Sequence, residues 1–124
     1  DIHALRDPTR GGLAAALNEF AEDSHVAIDL EETSIPVRPV VHAACETLGF
    51  DPLHVPCEGR LIAAVAPHTA DAVLEAMRAN RYGVDAAIIG EVRESQRFEV
   101  TLRTAIGGSR LVDLPAGELL PRIC

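Results

Sequence analysis

The chain has 124 residues, of which 48% are hydrophobic and only 3% aromatic. This length predicts one domain with a modest core of Ala, Val, Leu and Ile side chains, which suits a sheet covered by helices. The formal net charge of −8 argues against a nucleic-acid partner, because phosphate binding depends on clustered Lys and Arg. The sequence contains no apolar run of membrane-spanning length and no signal peptide. We therefore predict a cytoplasmic protein that binds no membrane, with its three cysteines reduced.

Residues 7–12 read Asp-Pro-Thr-Arg-Gly-Gly. Asp7 before Pro8 is a favourable N-cap and first helical position, and the apolar spacing that follows predicts a helix to about Asp23. The two glycines have two interpretations. They let the helix start pack closely on a sheet, or they leave N–H groups for an anion or substrate, to which Arg10 adds donors. The stretch lacks the lysine and the spacing of a phosphate-binding loop.

The rest of the chain alternates between helical and extended patterns. Helical periodicity predicts two more helices, over residues 38–48 and 67–79. Alternating or continuously apolar runs predict five strands, over residues 26–30, 61–66, 86–92, 98–105 and 110–114. Residues 106–109 join the last two strands as a hairpin turn. This order predicts an α+β fold, in which helices pack on a mixed or antiparallel β-sheet.

Residues 57–60, Cys-Glu-Gly-Arg, stand at the mouth of the apolar strand that starts near residue 61. Burial would raise the pKa of the Glu58 carboxyl and suit it to act as a general base. The plain alternative is a solvated glutamate that pairs with Arg60. Both interpretations stay open on the residues alone.

Two His-x-x-Cys pairs, His42 with Cys45 and His54 with Cys57, together contain the ligand types of a zinc site. Cys45 falls on the apolar face of its predicted helix, and Pro56 interrupts the second pair. We therefore predict no metal site in this chain.

The last ten residues, 115–124, contain Pro115, Gly117 and Pro121 and end on Cys124. This composition predicts a flexible tail after a domain of residues 1–114. Ten extended residues reach roughly 30 Å, so the tail is long enough to carry a thiol from one surface into a distant pocket. The alternative is that the chain end is arbitrary and the cysteine has no role.

Four stretches together resemble one family. They are Asp-Pro-Thr-Arg-Gly-Gly at 7–12, Glu-Gly-Arg at 58–60, Arg-Thr-Ala-Ile-Gly-Gly at 103–108 and the terminal Pro-Arg-Ile-Cys at 121–124. The chain resembles the C-terminal domain of the HypE family of [NiFe]-hydrogenase maturation factors, which are carbamoyl dehydratases. That family lies in the aminoimidazole ribonucleotide (AIR) synthetase-like superfamily. The resemblance therefore implies the C-terminal fold of AIR synthetase.

The family's chemistry implies a role for each matching residue. A carbamoyltransferase, HypF, loads a carbamoyl group on the terminal cysteine, and ATP then drives its dehydration to a thiocyanate. The cyano group passes to iron on a HypC–HypD scaffold. By resemblance Cys124 is the carrier, Glu58 is the base that takes protons from the amide nitrogen, and Asp7 and Arg10 shape the cleft. The family also implies a homodimer of the full-length protein.

Two departures from the family pattern bear on this interpretation. Cys57 stands before Glu58 where the family usually has Asn, so a thiol replaces an amide that orients substrate. The family's N-terminal domain, which binds ATP and Mg, has no counterpart in this chain, which begins with Asp1. We therefore expect a piece of a longer protein that has no bound cofactor and no dehydratase activity by itself.

The residues around Cys124 suggest one further hypothesis. The α-carboxylate on the same residue should raise the thiol pKa, and Arg122 is the cation beside it in sequence that offsets this effect or docks the carboxylate. Two other functions remain open. One is a non-catalytic docking module for maturation partners, and the other is a different ATP-using enzyme of the superfamily.

Overall fold

The computed structural model describes residues 1–114. The helices are α1 (Gly12–Ser24), α2 (Pro39–Leu48) and α3 (Ala70–Ala79). The strands are β1 (Ile2–Arg6), β2 (Val26–Glu31), β3 (Ile62–Val65), β4 (Gly90–Glu94), β5 (Val100–Arg103) and β6 (Ser109–Leu111). Three short 3-10 turns, Glu32–Ser34, Pro52–His54 and Pro67–Thr69, connect them.

The strands form two sheets. Four strands pair in the order β4-β2-β5-β6, with β2 antiparallel to β4, parallel to β5, and β5 antiparallel to β6. Strands β1 and β3 form a separate antiparallel pair with an irregular register between Ile2 and Ala4. Helices accompany a mixed sheet and an antiparallel one, so the predicted α+β class is confirmed.

The core lies between α1 and the four-stranded sheet. Leu17 and Ala21 of α1 pack against Ile28 of β2 and Leu102 of β5, and all four are at most 5% exposed. Leu53, from the 3-10 turn Pro52–His54, joins the same cluster. The helical spacing of α1 and the alternation of β2 and β5 place one apolar face of each element in this core.

Several boundaries differ from the sequence expectation. Strand β1 was not predicted. The strand expected over 86–92 begins only at Gly90, and those expected over 98–105 and 110–114 shorten to β5 and β6. Asp7 is not the N-cap of α1, because Gly11, in a left-handed conformation with φ of 79°, occupies that position.

Helices α2 and α3 lie where they were predicted, but their apolar faces are largely uncovered. Cys45 is the only buried residue of α2, while Leu48 is 66% exposed. No residue of α3 is buried. Strand β3, expected as a buried strand, is only partly buried along its length. Hydrophobic periodicity thus predicted α2, α3 and β3 correctly, but it did not predict that their apolar faces are left largely exposed within residues 1–114.

Candidate functional site

The β1–β3 pair brings the two charged motifs together. Its register ends with Arg6 opposite Ile62, so the chain that leaves β1 and the chain that enters β3 are neighbours. The backbone N–H of Cys57 then donates a hydrogen bond of 2.9 Å to the carbonyl of Pro8. These contacts hold residues 7–12 beside residues 57–60, although about fifty positions separate them in the sequence.

The start of α1 also lies against the segment before Cys57. A Cβ added to Gly12 would stand 2.6 Å from the carbonyl oxygen of Val55 and 2.7 Å from that of Leu53. Only glycine fits at this distance, and its φ of 66° is also one that side chains disfavour. The packing interpretation of Gly12 therefore holds, with a loop rather than a sheet as its neighbour.

The three candidate residues of this site are solvent-exposed. Asp7 and Arg10 lie on the stretch before α1, and Glu58 lies in a bend completed by Gly59, whose φ is 69°. Of the two interpretations of Glu58, residues 1–114 do not provide the burial, because they leave this residue exposed. The site is thus an open surface that presents two carboxylates and one guanidinium.

Cys57 is half-buried and points back to its own loop. Its Sγ donates to the carbonyl oxygen of Val55 at 3.5 Å. Cys45 is 6% exposed, on the inner side of α2. The Cys45 position fits the sequence interpretation of this residue as part of the apolar face.

The His-x-x-Cys pairs do not form a metal site in the part of the chain that the structure describes. Residues 1–114 contain no group of three or more His, Cys, Asp or Glu side chains placed to hold a metal ion. His54 is engaged elsewhere, with its Nε2 2.8 Å from the carbonyl oxygen of Asp113.

The remaining two predicted site residues, Arg122 and Cys124, lie outside the described residues. The last described residues, Val112, Asp113 and Leu114, show where the chain leaves the core. Val112 is 1% exposed, and its carbonyl accepts a hydrogen bond of 2.8 Å from the side-chain amide of Asn18. The chain is thus fixed by α1 at Val112, among the last residues that the structure describes.

A polar cluster that was not predicted from the sequence lies where the chain leaves the core. Asp51 accepts hydrogen bonds from the backbone N–H of Leu53 at 3.0 Å and from Arg110 at 2.8 Å. Its Oδ2 lies 3.6 Å from Nδ1 of His54. The available signal was Asp51 directly before Pro52, which is a capping pattern, whereas the contacts to Arg110 and Asp113 are long-range.

An open cavity of about 500 Å³ lies near the same exit point. It is lined by Asn18, Glu22, Phe98, Glu99, Leu111, Asp113 and Leu114. None of Asp7, Arg10 or Glu58 belongs to this lining. The candidate site and the cavity are therefore separate features of the surface.

One ion pair is tied to the four-stranded sheet rather than to the site. Arg93 of β4 lies 2.5 Å from the carboxylate of Asp29 in β2, and the Thr101 hydroxyl donates to the same carboxylate at 2.6 Å. These hydrogen bonds, that of Arg93 first, lower the pKa of Asp29. The pair supports the β4-β2-β5 order and is not part of the candidate site.

No helix within residues 1–114 combines the length and the apolar character needed to cross a bilayer. This finding concerns the described helices alone.

Comparison with known proteins identifies the domain type. The model of the family described as "AIR synthase related protein, C-terminal domain" matches residues 1–103. The carbamoyl dehydratase HypE of Bradyrhizobium diazoefficiens is 57% identical over 123 residues, which are 99% of this chain and 36% of that protein.

Solved HypE structures also match this chain in fold and in sequence. A HypE structure in complex with ATP matches with a TM-score of 0.93 and 44% identity, covering 100% of this chain and 38% of the other. A chain of a solved HypE–HypF complex matches with a TM-score of 0.87 and 46% identity, over 92% of this chain and 37% of that chain.

The chain spans about 36% of the length of the curated relatives that it matches. The resemblance to HypE predicted from the motifs is confirmed, since the similarity covers nearly the whole chain. This chain belongs to the family of AIR synthase related protein C-terminal domains.

Proposed function

We propose that this chain is the C-terminal part of a carbamoyl dehydratase for [NiFe]-hydrogenase maturation, with a domain at residues 1–114 and a carrier tail at 115–124. The observation that carries the proposal is the hydrogen bond from the Cys57 N–H to the Pro8 carbonyl. It holds the turn that bears Glu58 beside the segment that bears Asp7 and Arg10. The similarity to HypE proteins named carbamoyl dehydratases supplies the reaction.

The proposed reaction uses ATP to remove the oxygen of an S-carbamoyl group on Cys124. The amide oxygen attacks the γ-phosphorus, the bond from that phosphorus to the bridging oxygen breaks, and ADP leaves. The carbon–oxygen bond then breaks, phosphate leaves with the former amide oxygen, and the nitrogen gives up both protons. The product is a thiocyanate on Cys124.

Glu58 is the proposed base for a proton of the amide nitrogen. Its carboxylate is exposed on this domain, so the substrate group can approach it from outside. Arg10 supplies a guanidinium, which suits a phosphoryl oxygen or the leaving phosphate. Asp7 borders the same place and limits how the amide can sit.

The resemblance to HypE is the ground for proposing that ATP and Mg bind in the N-terminal domain of the full-length protein. The solved HypE–ATP complex supports ATP use by the whole protein. On this proposal the chain alone has no dehydratase activity. Cleavage of ATP by the isolated chain with a carbamoylated tail would contradict it.

The proposed partner that loads Cys124 is the carbamoyltransferase HypF, as the solved HypE–HypF complex suggests. The cyano group then passes to iron on a HypC–HypD scaffold, and the full-length protein works as a homodimer. Arg122 beside the tail terminus favours the thiolate of Cys124. Arg122→Gln should therefore slow carbamoylation and raise the pH at which Cys124 is alkylated.

Intact mass and peptide mapping test the proposal. The full-length protein is incubated with its carbamoyltransferase, carbamoyl phosphate and ATP. A carbamoyl- or cyano-sized adduct confined to Cys124, absent in Cys124→Ser, is the expected result.

An adduct on Cys57, or none at all, would contradict the carrier role. Binding of the carbamoyltransferase without any adduct would instead favour the docking-module function. Cys124→Ser should keep partner binding while it loses all chemistry.

A further inference from the structure

Where the chain leaves the core, the backbone of Val112 is hydrogen-bonded to both β5 and α1. The N–H of Val112 donates 2.8 Å to the carbonyl of Val100 in β5. The side-chain amide of Asn18 donates to the carbonyl oxygens of Val112 and Ala14, both at 2.8 Å. Val112 is therefore fixed between the sheet and α1.

One residue further, His54 holds the backbone of Asp113. The carbonyl oxygen of Asp113 only accepts, so the His54 Nε2 at 2.8 Å carries the proton of this hydrogen bond. The imidazole is largely buried, with 15% of its side chain exposed. The accepting residue, Asp113, is exposed, so this hydrogen bond lies at the surface.

The other ring nitrogen of His54, Nδ1, lies near the carboxylate of Asp51, which accepts hydrogen bonds of its own. Nδ1 is buried without a hydrogen-bond partner and lies 3.6 Å from Oδ2 of Asp51. Asp51 is fixed in turn by Arg110 at 2.8 Å and by the N–H of Leu53 at 3.0 Å. Because Arg110 lies on β6 and Leu53 in the core, the carboxylate beside the ring is held from two elements.

The geometry points to His54 as a positioning residue that sets the direction in which the carrier tail leaves the domain. This inference rests on the proposed function, since direction matters only if Cys124 must reach a reaction site. Pro115 follows directly in the sequence, and its ring restricts the backbone of Leu114 before it. The His54 hydrogen bond thus holds the backbone one residue before Leu114, the last residue that the structure describes.

A fixed exit direction raises the effective concentration of the terminal thiol at a site within its reach. Ten residues span at most roughly 35 Å, and the local concentration of a tethered group depends on how the tether is aimed and how long its free part is. Loss of the Asp113 hydrogen bond frees the base of the tail. Dehydration of the carbamoyl group within the protein should therefore slow more than loading of Cys124 by the separate carbamoyltransferase.

Three variants of the full-length protein separate positioning from packing. His54→Phe keeps a ring without a donor. The amide nitrogen of His54→Gln reaches close to the place of Nε2, whereas that of His54→Asn stops near Nδ1. His42→Asn, at an exposed position of α2, is the matched control.

The first readout does not depend on activity. Pulsed electron paramagnetic resonance measures the distance from a nitroxide on Cys124 to one on Ile106→Cys, at a hairpin position that is 97% exposed, with other cysteines replaced. His54→Phe and His54→Asn should broaden the distance distribution, and His54→Gln should keep it near that of the parent. Equal widths in all variants of unchanged melting temperature would overturn the inference.

The second readout compares two rates. In a single turnover with ATP, His54→Phe should slow dehydration of carbamoylated Cys124 by about threefold to tenfold, while loading by the carbamoyltransferase changes by less than about twofold. Equal slowing of both steps would indicate a merely structural role and overturn the inference. If the parent protein gains no carbamoyl group, the proposed function fails, and the distance distributions still decide whether His54 directs the tail.

Discussion

The domain has a packed half and an open half. The packed half is α1 with the four-stranded sheet, in which Leu30, Val100 and Leu102 are at most 3% exposed. The open half is the β1–β3 pair with α2 and α3, in which Leu5 and Leu48 are 55% and 66% exposed. The fold is thus stabilised mainly on one side.

The residues that stabilise the fold and the candidate residues for chemistry lie in different parts of the domain. The charged candidates Asp7, Arg10 and Glu58 lie on the segments that leave β1 and enter β3, and all three are exposed. The packed half contributes the start of α1, against which residues 53–57 are held. A site built in this way depends on the packed half for its position and on the open half for its side chains.

The largest expected effect on stability comes from the packed half. Leu102→Ala removes a side chain that is 1% exposed and should lower the free energy of unfolding by about 2–5 kcal/mol. Leu48→Ala, at a 66% exposed position of α2, should change it by less than about 0.5 kcal/mol. Urea denaturation of both variants measures the contrast, and similar losses would mean that the open half is covered.

The second largest effect on stability is expected at Gly12, where the start of α1 packs against residues 53–55. Gly12→Ala brings a Cβ within 3 Å of two carbonyl oxygens at a φ of 66°, and should cost about 2–4 kcal/mol. Gly49→Ala has a φ of 74° but meets no atom within 4 Å, so it should cost only about 1 kcal/mol. If both variants lose the same stability, backbone conformation alone explains Gly12 and the close approach is unimportant.

The smallest effect concerns pH. Hydrogen bonds from Arg93 and then Thr101 lower the pKa of Asp29, so the folded chain binds a proton there less readily than the unfolded chain. The stabilisation is therefore complete above the unfolded pKa near 4 and is lost as the pH falls through the folded value. Asp29→Asn should be less stable than the parent at pH 7 and equal to it in acid. A stability difference that persists unchanged in acid would contradict this assignment.

The parts of the fold that the sequence predicted are those with strong local patterns. Helix α1 followed from apolar residues at helical spacing, and the hairpin between β5 and β6 from paired glycines. Strand β1 was missed because its five residues, Ile2–Arg6, give a weak pattern and their partner lies some sixty positions away. Such pairing is a property of the tertiary fold.

For the candidate site too, the residues were predicted from local motifs, whereas the contacts between distant segments were not. Motifs selected Asp7, Arg10 and Glu58 from the sequence, but nothing local predicts the hydrogen bond that joins Cys57 to Pro8. His54 lies outside every helix and strand predicted from the sequence, and its contact with Asp113 is visible only in three dimensions. Residue types can thus be read from the sequence, whereas the relation between distant segments cannot.

The central claim is that Glu58 takes a proton from the substrate amide at the place where the two motifs meet. Single-turnover dehydration of carbamoylated Cys124, with ATP and the full-length protein, tests it directly. Glu58→Gln should still gain the carbamoyl group but form thiocyanate at least about 100-fold more slowly, while Glu75→Gln on the exposed side of α3 behaves as the parent. Thiocyanate formation by Glu58→Gln at the parent rate would contradict the account.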